Sequence, residues 1–216
     1  SVRAPDATVI HSKGSMEYLG SILHGDGQAD HEISRRIAMA RADFDTLSHT
    51  WTHSALTWKQ KLRTYVSLVE SKLLYSMATL VLTVAQRRKL NGFQNRCLRK
   101  IVGVQPSYVS RISNAIVLAK AAHTLASDLL RKKQLQLFGK VLRVDSQHPL
   151  KRACFIPNTW IPVTDQYVRR VGRPSKEWVR ELIQEAVSLF GHMSSANAAA
   201  QDKAIWNGLL AEKLGF

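Results

Sequence analysis

Between Gln86 and Gly103 the sequence reads QRRKLNGFQNRCLRKIVG, with six basic residues and no acid. Lysine and arginine massed in this way do one kind of chemistry well, which is to bind phosphate oxygens. Like charges three or four residues apart on a helix repel by a few tenths of a kcal/mol per pair, and Arg96–Arg99 and Arg96–Lys100 are such pairs. A phosphate backbone relieves that repulsion, and counterion release supplies affinity. A second run, Arg131, Lys132 and Lys133 with Lys140 and Arg143, is equally short of acids. Catalytic chemistry finds less to work with. No carboxylates stand at a spacing suited to a two-metal site, and Gly-rich phosphate loops and nucleophile elbows are missing. His49 and His53 are four apart, as zinc ligands on one helix face are, but no acid follows His49 and no cysteine pair accompanies them. Cys97 and Cys154 lie in no CxxC context and are read as reduced thiols of an intracellular protein. No catalytic or metal-binding residue is assigned.

Those basic residues need a scaffold. The chain has 216 residues, 45 % hydrophobic and 22 % charged, which is the composition of a globular protein able to bury a core. Its formal net charge is +15, and residues 84–143 hold 13 basic side chains against one acid, Asp128. So local an excess is an electrostatic footprint for a polyanion. The longest apolar run, Leu73 to Ala85, is about 13 residues, short of the ~20 that span a bilayer, and no membrane partner is expected. The sequence opens at Ser1 in mid-pattern, and a longer parent chain is expected.

The patterning predicts a mainly α fold: a short N-terminal β-hairpin, a helical thumb-like bundle and a small C-terminal helical region. Residues 7–24 read as two short strands around Ser12-Lys13-Gly14, and Gly25–Gly27 as a turn. From Asp30, read as an N-cap, Ile33, Ile37, Ala40, Phe44, Leu47 and Trp51 keep helical spacing. Thr57 and Gln60 fit a capping box ahead of a second helix, and Thr83 caps the third. On that third helix Leu90, Phe93, Cys97, Leu98 and Ile101 share one face, and Arg88, Lys89, Arg96, Arg99 and Lys100 the opposite one. Gly103 ends it. Shorter and longer helices follow near Ser113–Ala122 and Thr124–Arg143. Residues 144–174 carry four of the six prolines and read as a linker or extended loop. The last part holds two helical patterns, Trp178–Phe190 and Ala204–Leu210, around a low-complexity SSANAAAQ. The implied regions are 1–27, 28–143, 144–174 and 175–216. Most aromatics fall on apolar stripes, whereas Tyr65, Tyr75 and Tyr108 are assigned neither to the core nor to stacking.

Several segments taken in order resemble the region just after the palm of non-LTR (LINE-type) retrotransposon reverse transcriptases. They are YLGSILHGDG, EISRRIAMARADF, KQKLRTYVSLVESKLLYS, RRKLNGFQNRCLRKIVGV, SNAIVLAKA, RKKQLQLFGKVLRV, GRPSKEW and QDKAIW, and they cover almost the whole chain. Each is weak alone; their order is what is specific. Ser76 and Lys203 depart from the family's common glycine and arginine. The resemblance implies that Tyr18, Leu19 and Gly20 lie on a primer-grip-like hairpin at the end of the palm. The following helices would be the thumb that holds the template–primer duplex. The polymerase aspartates would lie upstream, so this chain alone is expected to be inactive and to need no cofactor, magnesium belonging to the missing palm. Expected partners are RNA, an RNA–DNA hybrid or duplex DNA, and the palm of the same polyprotein. The expected location is a cytoplasmic ribonucleoprotein and the nucleus. Contacts to phosphates are expected from Arg88, Lys89, Arg96, Arg99, Lys100, Arg131, Lys132, Lys133, Lys140 and Arg143. Two other readings compete: a stand-alone basic helical DNA-binding module, for which Gly172-Arg173-Pro174 would be a minor-groove hook, and a non-functional remnant of a degenerate element.

Overall fold

The structure is a computed structural model and describes residues 2–3, 9–10, 14–24, 29–167 and 176–215. The Gly25–Gly27 turn, residues 168–174 of the proline-containing stretch and Gly172–Ser175 lie outside them. The protein is mainly α-helical, with short antiparallel strands at its N-terminus followed by helices. The chain forms two compact units, Ser1–Ser76 with Leu82–Ala121, and Met77–Val81 with Ala122–Phe216. The helix ending at Arg143 falls in the second of these units.

In the first unit β1 (Val2–Arg3) pairs with β2 (Val9–Ile10), and β3 (Ser15–Tyr18) with β4 (Ser21–His24). The β3–β4 hairpin turns at Leu19-Gly20, while Ser12 and Lys13 lie outside the described residues. Both turn residues have positive φ, 48° and 72°, which is what a two-residue hairpin turn matched to the strand twist requires. Leucine in this conformation costs about 1–2 kcal/mol, and bonds to the turn offset it. Tyr75 Oη donates to the Leu19 carbonyl at 3.1 Å, and the Arg35 and Arg36 guanidinium groups both donate to the Gly20 carbonyl.

Helix α1 (Asp30–Thr46) follows, with Ala29 rather than Asp30 at the cap position and no side-chain cap. Its buried Ile33, Ile37, Ala40 and Phe44 pack toward the next helical layers. Helix α2 (Ser48–Thr52) sets Trp51 onto Phe44, ring centroids 4.7 Å apart, with Trp51 Nε1 donating to the Phe44 carbonyl at 2.6 Å. Helix α3 (Trp58–Thr64) starts at the expected capping box: the Thr57 N–H donates to Gln60 Oε1 at 2.9 Å, and the Gln60 N–H to Thr57 Oγ1 at 3.3 Å. It does not continue as one α-helix. A π-helical turn (Tyr65–Glu70) intervenes before α4 (Ser71–Leu73). Tyr65, Val69 and Leu73 are buried along this stretch.

Helix α5 (Val84–Ile101) carries the basic run. Thr83 and Gln86 form a second capping box, at 2.7 and 3.3 Å. Leu90, Phe93, Cys97, Leu98 and Ile101 are buried, as the helical wheel requires. Gly103, at φ 69°, ends the helix, and the Val104 N–H donates back to the Arg99 carbonyl at 2.8 Å, the long bond of a Schellman ending. Two short helices, α6 (Ser107–Ser110) and α7 (Asn114–Ala121), complete the unit.

The second unit is built around α8 (Ala126–Arg143), against which α9 (Pro149–Arg152), α10 (Trp178–Phe190), α11 (Met193–Gln201) and α12 (Lys203–Leu214) pack. Gly139 exists for a close approach: a Cβ there would stand 2.4 Å from Trp206 Nε1, which donates to the Leu135 carbonyl at 3.0 Å. Two sequence expectations change here. Residues 149–166 are not plain linker, since they form α9, a bridge between Phe155 and Pro162 and a 3-10 turn, and they bury Cys154 and Phe155 in the core. SSANAAAQ is a core helix, because Ala196 and Ala200 are small enough to let α11 lie close.

Candidate nucleic-acid interface

The capping box starts α5, and its apolar stripe anchors it against the bundle. What remains for solvent is the basic arc. Arg88, Lys89, Arg96 and Lys100 are exposed, and among the described residues none of the four forms an ion pair. Lys89 Nζ donates to Ser34 Oγ at 2.8 Å, and Lys100 Nζ lies 5.7 Å from the centre of the Phe44 ring. Gly92, between them, is exposed with open space where a Cβ would be.

Arg99 departs from its expected place. It is only 6 % exposed, and every N–H it has is engaged. Nη1 donates to the Gln105 carbonyl at 3.0 Å and Ser110 Oγ at 3.5 Å. Nη2 donates to the Ile112 carbonyl at 2.6 Å and Asn114 Oδ1 at 2.8 Å, and Nε to the same Oδ1 at 3.3 Å. The reason is geometric. The Schellman ending folds the chain back over the helix end, and the planar fork of Arg99 is what satisfies the returning carbonyls. It holds the loop after α5 and has no donor left for a phosphate.

Helix α8 uses its charge differently again. Arg131 pairs with Glu185, and Arg143 Nη1 donates to the Ala200 carbonyl at 2.8 Å. Lys132 is half-buried, while Lys133 and Lys140 are exposed. Arg131 therefore has a counter-charge that the sequence pattern hid, because Glu185 lies 54 residues away.

The hairpin residues meet a second charged group. Glu32 is buried and pairs with Arg35 Nε at 3.0 Å and Arg36 Nε at 2.6 Å, and it accepts the Ile22 N–H at 3.0 Å. Burial alone would raise its carboxyl, but the bonds from Arg35, Ile22 and Arg36 outweigh that and hold it at about 2. Arg36 also lies 4.7 Å beneath the Tyr75 ring. Tyr18 and Leu19 are exposed, and Leu19 lines a cavity of about 790 Å³ with Leu68, Lys72 and Tyr75. The convergence of Arg35 and Arg36 on the Gly20 carbonyl depends on the hairpin folding back.

The other candidates for chemistry are quiet. His49 and His53 are exposed, and His53 Nδ1 accepts the Ala55 N–H at 3.3 Å. Among the described residues no three metal-ligating side chains converge. Burial, only partly opposed by Arg96, pushes the Cys97 thiol up to about 12, and burial also raises Cys154, so neither is a ready nucleophile. Among the described residues no helix is long and apolar enough to cross a membrane. No family model, curated protein or solved structure matches this chain.

Proposed function

We propose that this chain is the thumb and C-terminal region of a LINE-type reverse transcriptase, and that its first unit grips nucleic acid through the phosphate backbone. The observation that carries the grip is the exposed arc of Arg88, Lys89, Arg96 and Lys100 on α5, without ion pairs among the described residues. The order of segments along the sequence supports the family assignment.

A thumb has to hold a duplex of any sequence and release it after each nucleotide. Phosphate contacts from lysine and arginine do this, because they position a duplex without reading bases. A hybrid tending to A-form has a wide, shallow minor groove along which a helix can track. In this reading Arg99 acts indirectly, by fixing the loop at the end of the helix. The partners are RNA, an RNA–DNA hybrid or duplex DNA, together with a palm that would hold the magnesium. The place of work is a cytoplasmic ribonucleoprotein and then the nucleus.

The test is the salt dependence of binding to an RNA–DNA hybrid beside duplex DNA of the same sequence. A steep slope, the hybrid equal or preferred and no sequence dependence are expected. A preferred DNA site would instead favour a stand-alone DNA-binding module. Nucleotide incorporation by the purified chain on a primed template, above a mock preparation, would overturn its assignment as inert alone.

A further inference from the structure

The carboxyl end of α5 holds a feature that a duplex grip does not use. Arg96, Arg99 and Lys100 form one side of a cavity of about 530 Å³, closed by Gly103, Val104, Gln105, Pro106 and Tyr108. That volume is within the ~300–1,000 Å³ of ordinary ligand clefts. Tyr108 is 85 % exposed, the most exposed large hydrophobic side chain among the described residues. It sits on α6, whose ends are set by Pro106 and by Arg111 at φ 55°, and the loop carrying it is clamped by Arg99. The ring is therefore held out on a braced loop.

The charge in this cavity needs an anion. Arg99 is buried among neutral oxygens only, those of Gln105, Ser110, Ile112 and Asn114, so its full charge is uncompensated by any of its partners. Arg96 and Lys100 stand one helical turn apart beside it, exposed and without ion pairs among the described residues. The helix end contributes about half a negative charge, which three cations exceed. Complementing the helix dipole accounts for basic residues here, but not for an aromatic ring standing free beside them.

We propose that this cavity binds one unpaired nucleotide of a single-stranded RNA or DNA segment, its phosphate on Arg96 and Lys100 and its base stacked on Tyr108. Cations that track a backbone, combined with an exposed aromatic on which a base lies, are the general means of holding single strands. The site rests on the phosphate-binding reading of α5 and adds to it a preference for a strand leaving the duplex.

The experiment measures the affinity of the full chain for a blunt RNA–DNA hybrid and for the same hybrid with a five-nucleotide unpaired extension carrying 2-aminopurine. The wild type should bind the extended hybrid about tenfold more tightly and quench the 2-aminopurine. Tyr108→Ala should remove both the preference and the quenching, leaving blunt-hybrid affinity and its salt slope unchanged. Tyr108→Phe should retain both. An unchanged preference in Tyr108→Ala, or an equal loss on blunt and extended hybrids, would overturn the nucleotide site while leaving the phosphate grip standing. Tyr108-dependent binding to phosphatidylserine vesicles with no preference for the extension would assign the cavity to a membrane surface and overturn the proposal. Failure to bind either hybrid would overturn both readings. A Tyr108-dependent preference in a chain whose blunt-hybrid salt slope is unchanged by replacing Arg88 and Lys89, which lie outside the cavity, would leave the nucleotide site standing and overturn the duplex grip.

Discussion

Helices α5 and α8 have the same length, 18 residues, and both carry runs of basic residues with few acids. Along the sequence they look like two copies of one surface. In three dimensions they divide the work. Helix α8 is the centre of its unit, and two of its cations hold neighbours: Arg131 binds Glu185 on α10, and Arg143 binds the last turn of α11. Helix α5 turns inward one cation, Arg99, to brace a loop, and leaves Arg88, Lys89, Arg96 and Lys100 in solvent. Charge density alone does not define a binding face; what matters is how many charges the fold has already used.

The sharpest way to separate the two helices is to damage one scaffold. Trp206→Ala empties the site against Gly139 and should destabilise the second unit by about 3–5 kcal/mol, measured by denaturant unfolding, while the salt slope for hybrid binding is kept. Loss of the slope along with the second unit would break the comparison.

Acid should act on the first unit. The Glu32 carboxyl lies below its unfolded value, at about 2 against 4.5. Its stabilisation is therefore complete above pH 4.5 and is lost as pH falls from about 4.5 to about 2, on the order of 3 kcal/mol in all. Glu32→Gln should flatten that part of a stability–pH profile.

Arg99→Ala should destabilise the same unit by about 2–3 kcal/mol, because it orphans the carbonyls of Gln105 and Ile112. Lysine should not rescue it, lacking the fork that spans those acceptors. Stability unaffected in Arg99→Ala would return this residue to the phosphate-binding face. The smallest effect is expected from Arg131→Ala, about 0.5–1 kcal/mol for an ion pair that keeps about a quarter of its side-chain surface in solvent, with no change in salt slope.

Much of the fold was legible in the sequence wherever local chemistry decides it. The capping boxes at Thr57 and Thr83, the apolar stripe of α5 and the stop at Gly103 depend on residues within a few positions of one another. The hairpin was legible, but not the support of its turn: Leu19 takes a conformation that leucine rarely adopts, with bonds to the turn from Tyr75, Arg35 and Arg36 that no local pattern announces. Proline density suggested a linker or extended loop at 144–174, yet Phe155 is buried there by contacts no local pattern announces. SSANAAAQ looked like low complexity, although small residues are what a closely packed helix needs. At the candidate site, four α5 cations stand where the wheel placed them. The partners of Arg99, Arg131 and Arg143 were not legible, because they are 6 to 57 residues away.

The most direct test of the central claim compares salt slopes for hybrid binding between two sets of alanine variants. Replacing Arg88, Lys89, Arg96 and Lys100 together should lower the slope by about 3, at roughly 0.7–0.9 per contact, whereas replacing Arg131 and Arg143 should leave it unchanged. An unchanged slope in the α5 set, or an equal fall in the α8 set, would contradict the assignment of α5 as the phosphate-binding face.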